Sequence, residues 1–215
     1  MSNALLQQIA RGAEKLGISL TDLQLQQLDA YLQLMIKWNK AYNLTAIREP
    51  ERMVSLHLLD SLAVYPYLKD ASSIIDVGTG GGLPGVVLAI MNPQQSITLL
   101  DSNGKKTRFL VQVKAALNLE NLTVINSRVE EYQPEEPFAM IVSRAFASLA
   151  DMVHWCRHLL AKKGCFMAMK GQYPEEEIEA IAQHYQVTHC YPLQVPGVEG
   201  ERHLLAIIPV ANAAQ

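Results

Sequence analysis

Through the first seventy positions, apolar residues recur every three or four places. Leu28, Leu32, Met35 and Ile36 line one helical face, and Thr21 followed by Gln24 forms a capping-box pattern in front of it. A third helix is predicted over about 49–62, and no strand pattern precedes residue 72. From there the rhythm changes, and short apolar runs alternate with helical periods. Strands are predicted at 73–76, 97–101, 122–126, 140–143, 165–170, about 187–193 and 204–209, with helices starting near Leu83, Gly104, Ser148 and Pro174. This alternation predicts an α/β fold: a mainly parallel, seven-stranded, Rossmann-like sheet with helices on both faces. Two regions result, a helical N-terminal region over 1–70 and an α/β domain over 71–215.

In such sheets ligands sit beyond the carboxyl ends of the strands. Asp76, Asp101, Asn126, the Ser143–Arg144 pair and Lys170 terminate five of the apolar runs. One or two polar ends mean only that strands stop where they meet water, whereas five together suit a cleft along that edge. With 215 residues, 49% hydrophobic and 18% charged, the chain can bury a sizeable core. No apolar run reaches membrane-spanning length, and the first fifteen residues lack a secretory pattern. Cys156, Cys165 and Cys190 are odd in number without C-x-x-C spacing, which suits a reduced cytoplasm. The net charge of −3 means that nucleic-acid binding requires a local basic patch. The densest one holds Lys105, Lys106, Arg108 and Lys114. His154 and His158 stand four apart around Cys156 but lack a third ligand, so no metal site is predicted.

The stretch SSIIDVGTGGGLPG, residues 72–85, carries the chemistry. Gly80, Gly82 and Gly85 have the G-x-G-x-x-G spacing of a dinucleotide turn, while Asp76, Gly78, Gly80 and Gly82 read as an acid ending a strand before a glycine turn. A pyrophosphate at the helix N-terminus would lie close to an ionised Asp76 and be opposed by it. The same carboxylate suits a ligand with positive charge, such as S-adenosylmethionine, which is the favoured cofactor; a dinucleotide is the alternative. Asp101, ending the second strand, can accept ribose hydroxyls in either case. A P-loop is excluded because Leu99 stands where its first glycine belongs.

The chain resembles the RsmG (GidB) family of bacterial 16S rRNA methyltransferases over nearly its whole length. The resemblance rests on KWNKAYNLTAI (37–47), HLLDSL (57–62), DVGTGGGLPG (76–85), LLDSNGKKTRFL (99–110), SRVEEY (127–132), VSRAFASL (142–149), MKGQ (169–172) and ERHLL (201–205). One departure is Gly81, where family members often carry Pro or Ala. The resemblance implies methyl transfer from S-adenosylmethionine to nitrogen 7 of a guanine in the 530 loop of 16S rRNA. It also implies cofactor contacts at Gly78, Leu83, the Val129–Glu130 pair and Arg144, with Glu130 facing the adenine edge. The substrate is expected to be 16S rRNA within the small subunit or its precursor, and the protein a cytoplasmic monomer.

No general base is expected, because nitrogen 7 of guanine carries a lone pair and no proton. Arg144, Lys170, Arg202, His203, Lys105, Lys106, Arg108 and His57 are the candidate RNA contacts. Arg144 can instead pair with an acid such as Asp101. His57 and Asp60, three apart, either touch the cleft or bridge the N-terminal region to the sheet. Trp38, Asn39 and Asn43 read as core or as a plug between the two regions. A methyltransferase acting on another RNA base and a noncatalytic ribosome-binding factor are the competing readings.

Overall fold

The computed structural model describes residues 3–210. Four helices come first: α1 (Asn3–Lys15), α2 (Asp22–Tyr42), α3 (Pro50–Met53) and α4 (Asp60–Leu68), with a π-helical segment, Val54–Leu59, joining the last two. Helix α2 starts as its sequence predicts. The Gln24 amide donates to Thr21 Oγ1 at 3.2 Å, and the Thr21 amide donates to Gln24 Oε1 at 2.9 Å. The predicted helix over 49–62 is therefore three joined segments that run on to residue 68.

Seven strands follow: β1 (Ser73–Val77), β2 (Ser96–Asp101), β3 (Leu122–Asn126), β4 (Phe138–Ser143), β5 (Leu160–Lys170), β6 (Tyr185–Pro192) and β7 (His203–Pro209). They form one sheet in the order β3-β2-β1-β4-β5-β7-β6. Strands β1 to β5 pair in parallel, and β7 runs antiparallel between β5 and β6. Between them run α5 (Gly85–Met91), α6 (Gly104–Leu117), α7 (Leu149–Cys156) and α8 (Glu175–Ile181). Strand order reverses between β1 and β4, which opens a crevice at their carboxyl ends.

Alternation along each strand divides the core between the two faces of the sheet. Ile74, Ile97 and Leu99 pack on one face, and Ile75, Val77 and Leu100 on the other. The first face also holds Leu28, Tyr31, Leu32 and Met35 of α2 against Val86 and Leu110. Trp38, half-buried, packs on Phe109 with ring centroids 5.6 Å apart. The N-terminal helices thus share one hydrophobic core with the sheet. Asn39 serves a local purpose: its side chain donates to Ile47 O and accepts from the Thr45 amide, fixing the loop after α2. Asn43 ends α2 in the left-handed conformation, with φ of 50°.

Candidate functional site

The glycine turn follows β1 and leads into α5. Asp76 lies beneath it, fully buried, and its Oδ2 accepts from Thr79 Oγ1 at 2.7 Å and from the Gly85 amide at 2.8 Å. Gly85 allows this close approach, since a Cβ there would stand 2.9 Å from Asp76 Oδ2. Desolvation pushes the Asp76 carboxyl up to about 6, against the pull of those two hydrogen bonds. The Asp76 carboxylate is thus engaged by the turn and by the first residue of α5. Like Ile74 two positions before it, residue 76 points to the α5 face of the sheet. Its carboxylate acts by tying the turn to the helix.

Gly78 sits at φ of +70°, and its amide and that of Thr79 donate to Leu100 O at 2.9 and 3.2 Å. The Gly80 amide donates to Asp101 Oδ2 at 2.9 Å, and the Asn103 amide donates to Oδ1 at 2.8 Å. Gly82 packs against Val86 and Leu110, and Leu83 is buried. The Tyr31 hydroxyl of α2 donates to Gly81 O at 2.6 Å, so the N-terminal helices grip the turn from outside the sheet.

Three neighbouring clefts open at this edge. The first, of about 220 Å³, is walled by Gly78 to Gly81, Thr45, His57 and Arg144. The second, of about 300 Å³, holds Asp101, Lys106, Val129 and Glu130. Gly78 and Ala145 belong to both, forming the wall between them. The third, of about 320 Å³, is lined by Asp60, Arg144, Lys170, Arg202 and His203. Arg144 faces the first and the third.

The structure gathers Gly78, Gly80, Leu83, Asp101, Val129, Glu130 and Arg144 around the first two clefts. Glu130 lies 3.6 Å from Arg128 Nε. The basic cluster divides: Lys106 turns into the second cleft, 4.0 Å from Asp101, while Lys105 and Arg108 are exposed on α6. Arg144 pairs with Asp60, not Asp101. Its Nη1 donates to Asp60 Oδ2 at 3.3 Å and to Leu56 O at 3.2 Å. Arg202 Nε lies 3.3 Å from the other carboxylate oxygen, Oδ1. Burial raises the Asp60 pKa, and the two arginines pull it back. His57 lies in the cleft wall, only 6% exposed. Its Nδ1 donates to Leu56 O at 3.0 Å, which leaves Nε2 to accept from Thr45 Oγ1 at 2.9 Å. Burial and then Arg144 lower its pKa to about 4, so the ring is neutral.

In the third cleft Lys170 is already committed, donating to Glu177 Oε2 at 2.7 Å and to Ala147 O at 3.1 Å. His203 Nδ1 donates to Gly171 O at 2.8 Å. Tyr31, Thr45 and Thr79 were not among the expected site residues; Thr45 and Thr79 lie within the stretches 37–47 and 76–85, whereas nothing in the sequence marked Tyr31. Helix α7 ends at Cys156, and His158 beyond it is bonded to Tyr132 O. Among the described residues no cluster of three metal-ligating groups occurs, and no helix is long and apolar enough to cross a membrane.

A 3-2-1-4-5-7-6 sheet, with a glycine turn after its first strand and an acid after its second, defines the class: a Rossmann-like methyltransferase fold. Solved structures agree on the fold. A ribosomal protein L11 methylase from Lactobacillus delbrueckii subsp. bulgaricus matches with a TM-score of 0.56 at 18% identity, covering 70% of this chain and 76% of that one. A SAM-dependent methyltransferase from Geobacter sulfurreducens, solved with S-adenosyl-L-homocysteine, matches with a TM-score of 0.57 at 12% identity, covering 83% and 98%. The family model described as rRNA small subunit methyltransferase G matches residues 24–205. Ribosomal RNA small subunit methyltransferase G of Pseudomonas aeruginosa (strain LESB58) is 55% identical over 200 residues, which is 93% of this chain and 94% of that protein. The protein of the same name from Stutzerimonas stutzeri (strain A1501) is 52% identical over 208 residues, 96% and 97% of the two chains. The chain belongs to the rRNA small subunit methyltransferase G family.

Proposed function

We propose that the chain transfers a methyl group from S-adenosylmethionine to nitrogen 7 of a guanine in the 530 loop of 16S rRNA, within the small subunit or its precursor. The observation that carries this reading is the turn itself, whose open backbone is tied through the Gly80 amide to Asp101. The residues fit the cofactor. Each Asp101 oxygen accepts one backbone N–H and keeps a lone pair for a ribose hydroxyl. Val129 and Glu130 share that cleft and would take the adenine edge. Across the wall formed by Gly78 and Ala145, Thr45 and Arg144 would take the amino-acid end. When bound, S-adenosylmethionine supplies a methyl group on a positively charged sulfur.

The chain's own contribution is alignment. Nitrogen 7 of guanine has no proton to remove, so the site needs no general base. The neutral His57 is spent on Thr45 and Leu56 O. The Cys156 thiol is pushed up to about 12 by burial, so it offers no thiolate at neutral pH. Orientation of two reactants supplies about 7–11 kcal/mol, enough to carry a direct displacement. Arg144, Arg202 and His203 would hold the RNA in the third cleft, with Lys105 and Arg108 on α6 as outlying phosphate contacts.

Labelled S-adenosylmethionine, incubated with small subunits that lack the modification and then digested to nucleosides, tests this. Label is expected in 7-methylguanosine. Label in a different nucleoside would overturn the assigned base, and absence of cofactor binding would overturn the enzyme reading.

A further inference from the structure

Asp60, the first residue of α4, is 4% exposed and lies between two guanidinium groups from separate segments of the α/β region. Arg144 follows β4 and meets Oδ2; Arg202 precedes β7 and meets Oδ1, each at 3.3 Å. One carboxylate between two arginines leaves a net charge of +1. Both arginines keep donors in reserve. Arg144 places Nη1 on Asp60 and Leu56 O; Arg202 Nε stands 3.3 Å from Asp60 Oδ1 as an ion pair without a hydrogen bond, and its Nη1 donates to Glu201 O. Neither Nη2 has a hydrogen-bond partner among the described residues. The other cation of this cleft, Lys170, is already paired with Glu177, and His203 has its Nδ1 on Gly171 O. The two arginines are therefore the cleft's uncommitted anion donors, and their planar forks match phosphate oxygens.

We infer that Asp60 positions Arg144 and Arg202 as a paired fork that grips one backbone phosphate of the RNA strand carrying the target base. This rests on the rRNA substrate proposed above. The cofactor's own carboxylate offers the same anionic chemistry. The phosphate is favoured because Arg202 lines the third cleft, which no residue of the glycine turn lines. Asp60 touches neither ligand in this scheme; it is a positioning residue.

The decisive variant is Asp60→Asn, which keeps the shape and removes the charge. Its effect has opposite signs under two models. A cleft that attracts RNA by charge alone binds tighter once Asp60 is neutral, whereas a positioned fork binds weaker. Binding of the full-length chain to unmodified small subunits, measured by filter retention across a salt series, reads this without catalysis. Asp60→Asn is expected to weaken binding about tenfold despite the added positive charge. Arg202→Gln should weaken it similarly and reduce the slope of log affinity against log salt by about 0.7–0.9, one phosphate contact. Because Asp60 also holds Arg144, the double variant should bind more weakly than Arg202→Gln alone, and calorimetric cofactor affinity in Arg202→Gln should stay within about threefold of native.

Unchanged or tighter binding by Asp60→Asn would overturn the fork. Lost cofactor affinity with unchanged RNA binding would assign the anion to the cofactor instead. Should Asp60→Asn fail to fold, Arg202→Gln at the cleft mouth decides alone: an unaltered affinity and salt slope overturns the proposal. Methyl transfer by the native chain to the same subunits separates the two levels. Its absence would overturn the substrate reading, and its presence beside indifferent variants would overturn only the fork.

Discussion

Gly78 is required to be glycine for two separate reasons. Its φ of +70° is costly for an L side chain, and an added Cβ would stand 2.7 Å from the Ala145 Cβ across the wall between two clefts. Gly78→Ala is expected to cost about 1–3 kcal/mol locally and to weaken cofactor binding at least about tenfold by calorimetry. Native affinity in that variant would show that the turn relaxes without consequence. The glycine spacing was legible because it is a local requirement on backbone angles. The role of Asp76 was not, since its partners Thr79 and Gly85 come within reach only when the turn folds back over the strand. The partner of Arg144 was equally hidden. Asp60 lies 84 positions away, and no spacing in the chain connects them.

Helix α2 shows what one element contributes. Its cap and apolar face could be read directly, whereas the contact of its Tyr31 hydroxyl with Gly81 O could not. Tyr31 is wholly buried, so Tyr31→Phe would leave a carbonyl without its donor. A stability loss of about 1–2 kcal/mol is expected, seen as a fall of about 2–8 °C in the melting midpoint. Cofactor affinity should drop a few-fold although Tyr31 lines none of the three clefts. A melting shift with unaltered affinity would mean that the turn holds its shape unaided. The π-helical segment matters at the same scale. It brings Leu56 O to Arg144 and His57 to Thr45, with Asp60 beginning the helix that follows. Such π-helical turns occur often at functional sites.

Across the whole molecule, the shared core makes the N-terminal helices part of the site, and it sets two buried titrations against each other. His57 falls from its ordinary 6.5 to about 4 on folding, so the unfolded chain binds more protons between those values. The stability that the neutral ring contributes is present above pH 6.5 and lost as pH falls toward 4. Asp76 rises from 3.8 to about 6, so the folded chain binds more protons in that window and gains stability as pH falls through it. The two contributions are of similar size and opposite sign. His57→Gln removes one of them. The variant is expected to be less stable than native at pH 7, with the deficit shrinking by about 3 kcal/mol by pH 4 in urea unfolding. A deficit independent of pH would mean that His57 titrates normally in the fold.

Local sequence was enough for the order of helices and strands, the cap of α2, the glycine turn, and the acids Asp76 within β1 and Asp101 closing β2. Each of these depends on neighbours within a helical turn or a strand pleat, so each leaves a short-range pattern. The packed fold was needed to bring Asp60 between Arg144 and Arg202, to pair Lys170 with Glu177, and to face Lys106 toward Asp101 while Lys105 and Arg108 face outward. Those pairings follow from strand order and from the packing of α2 and α4 on the sheet. Residues far apart in the chain meet there for geometric reasons that no local pattern encodes.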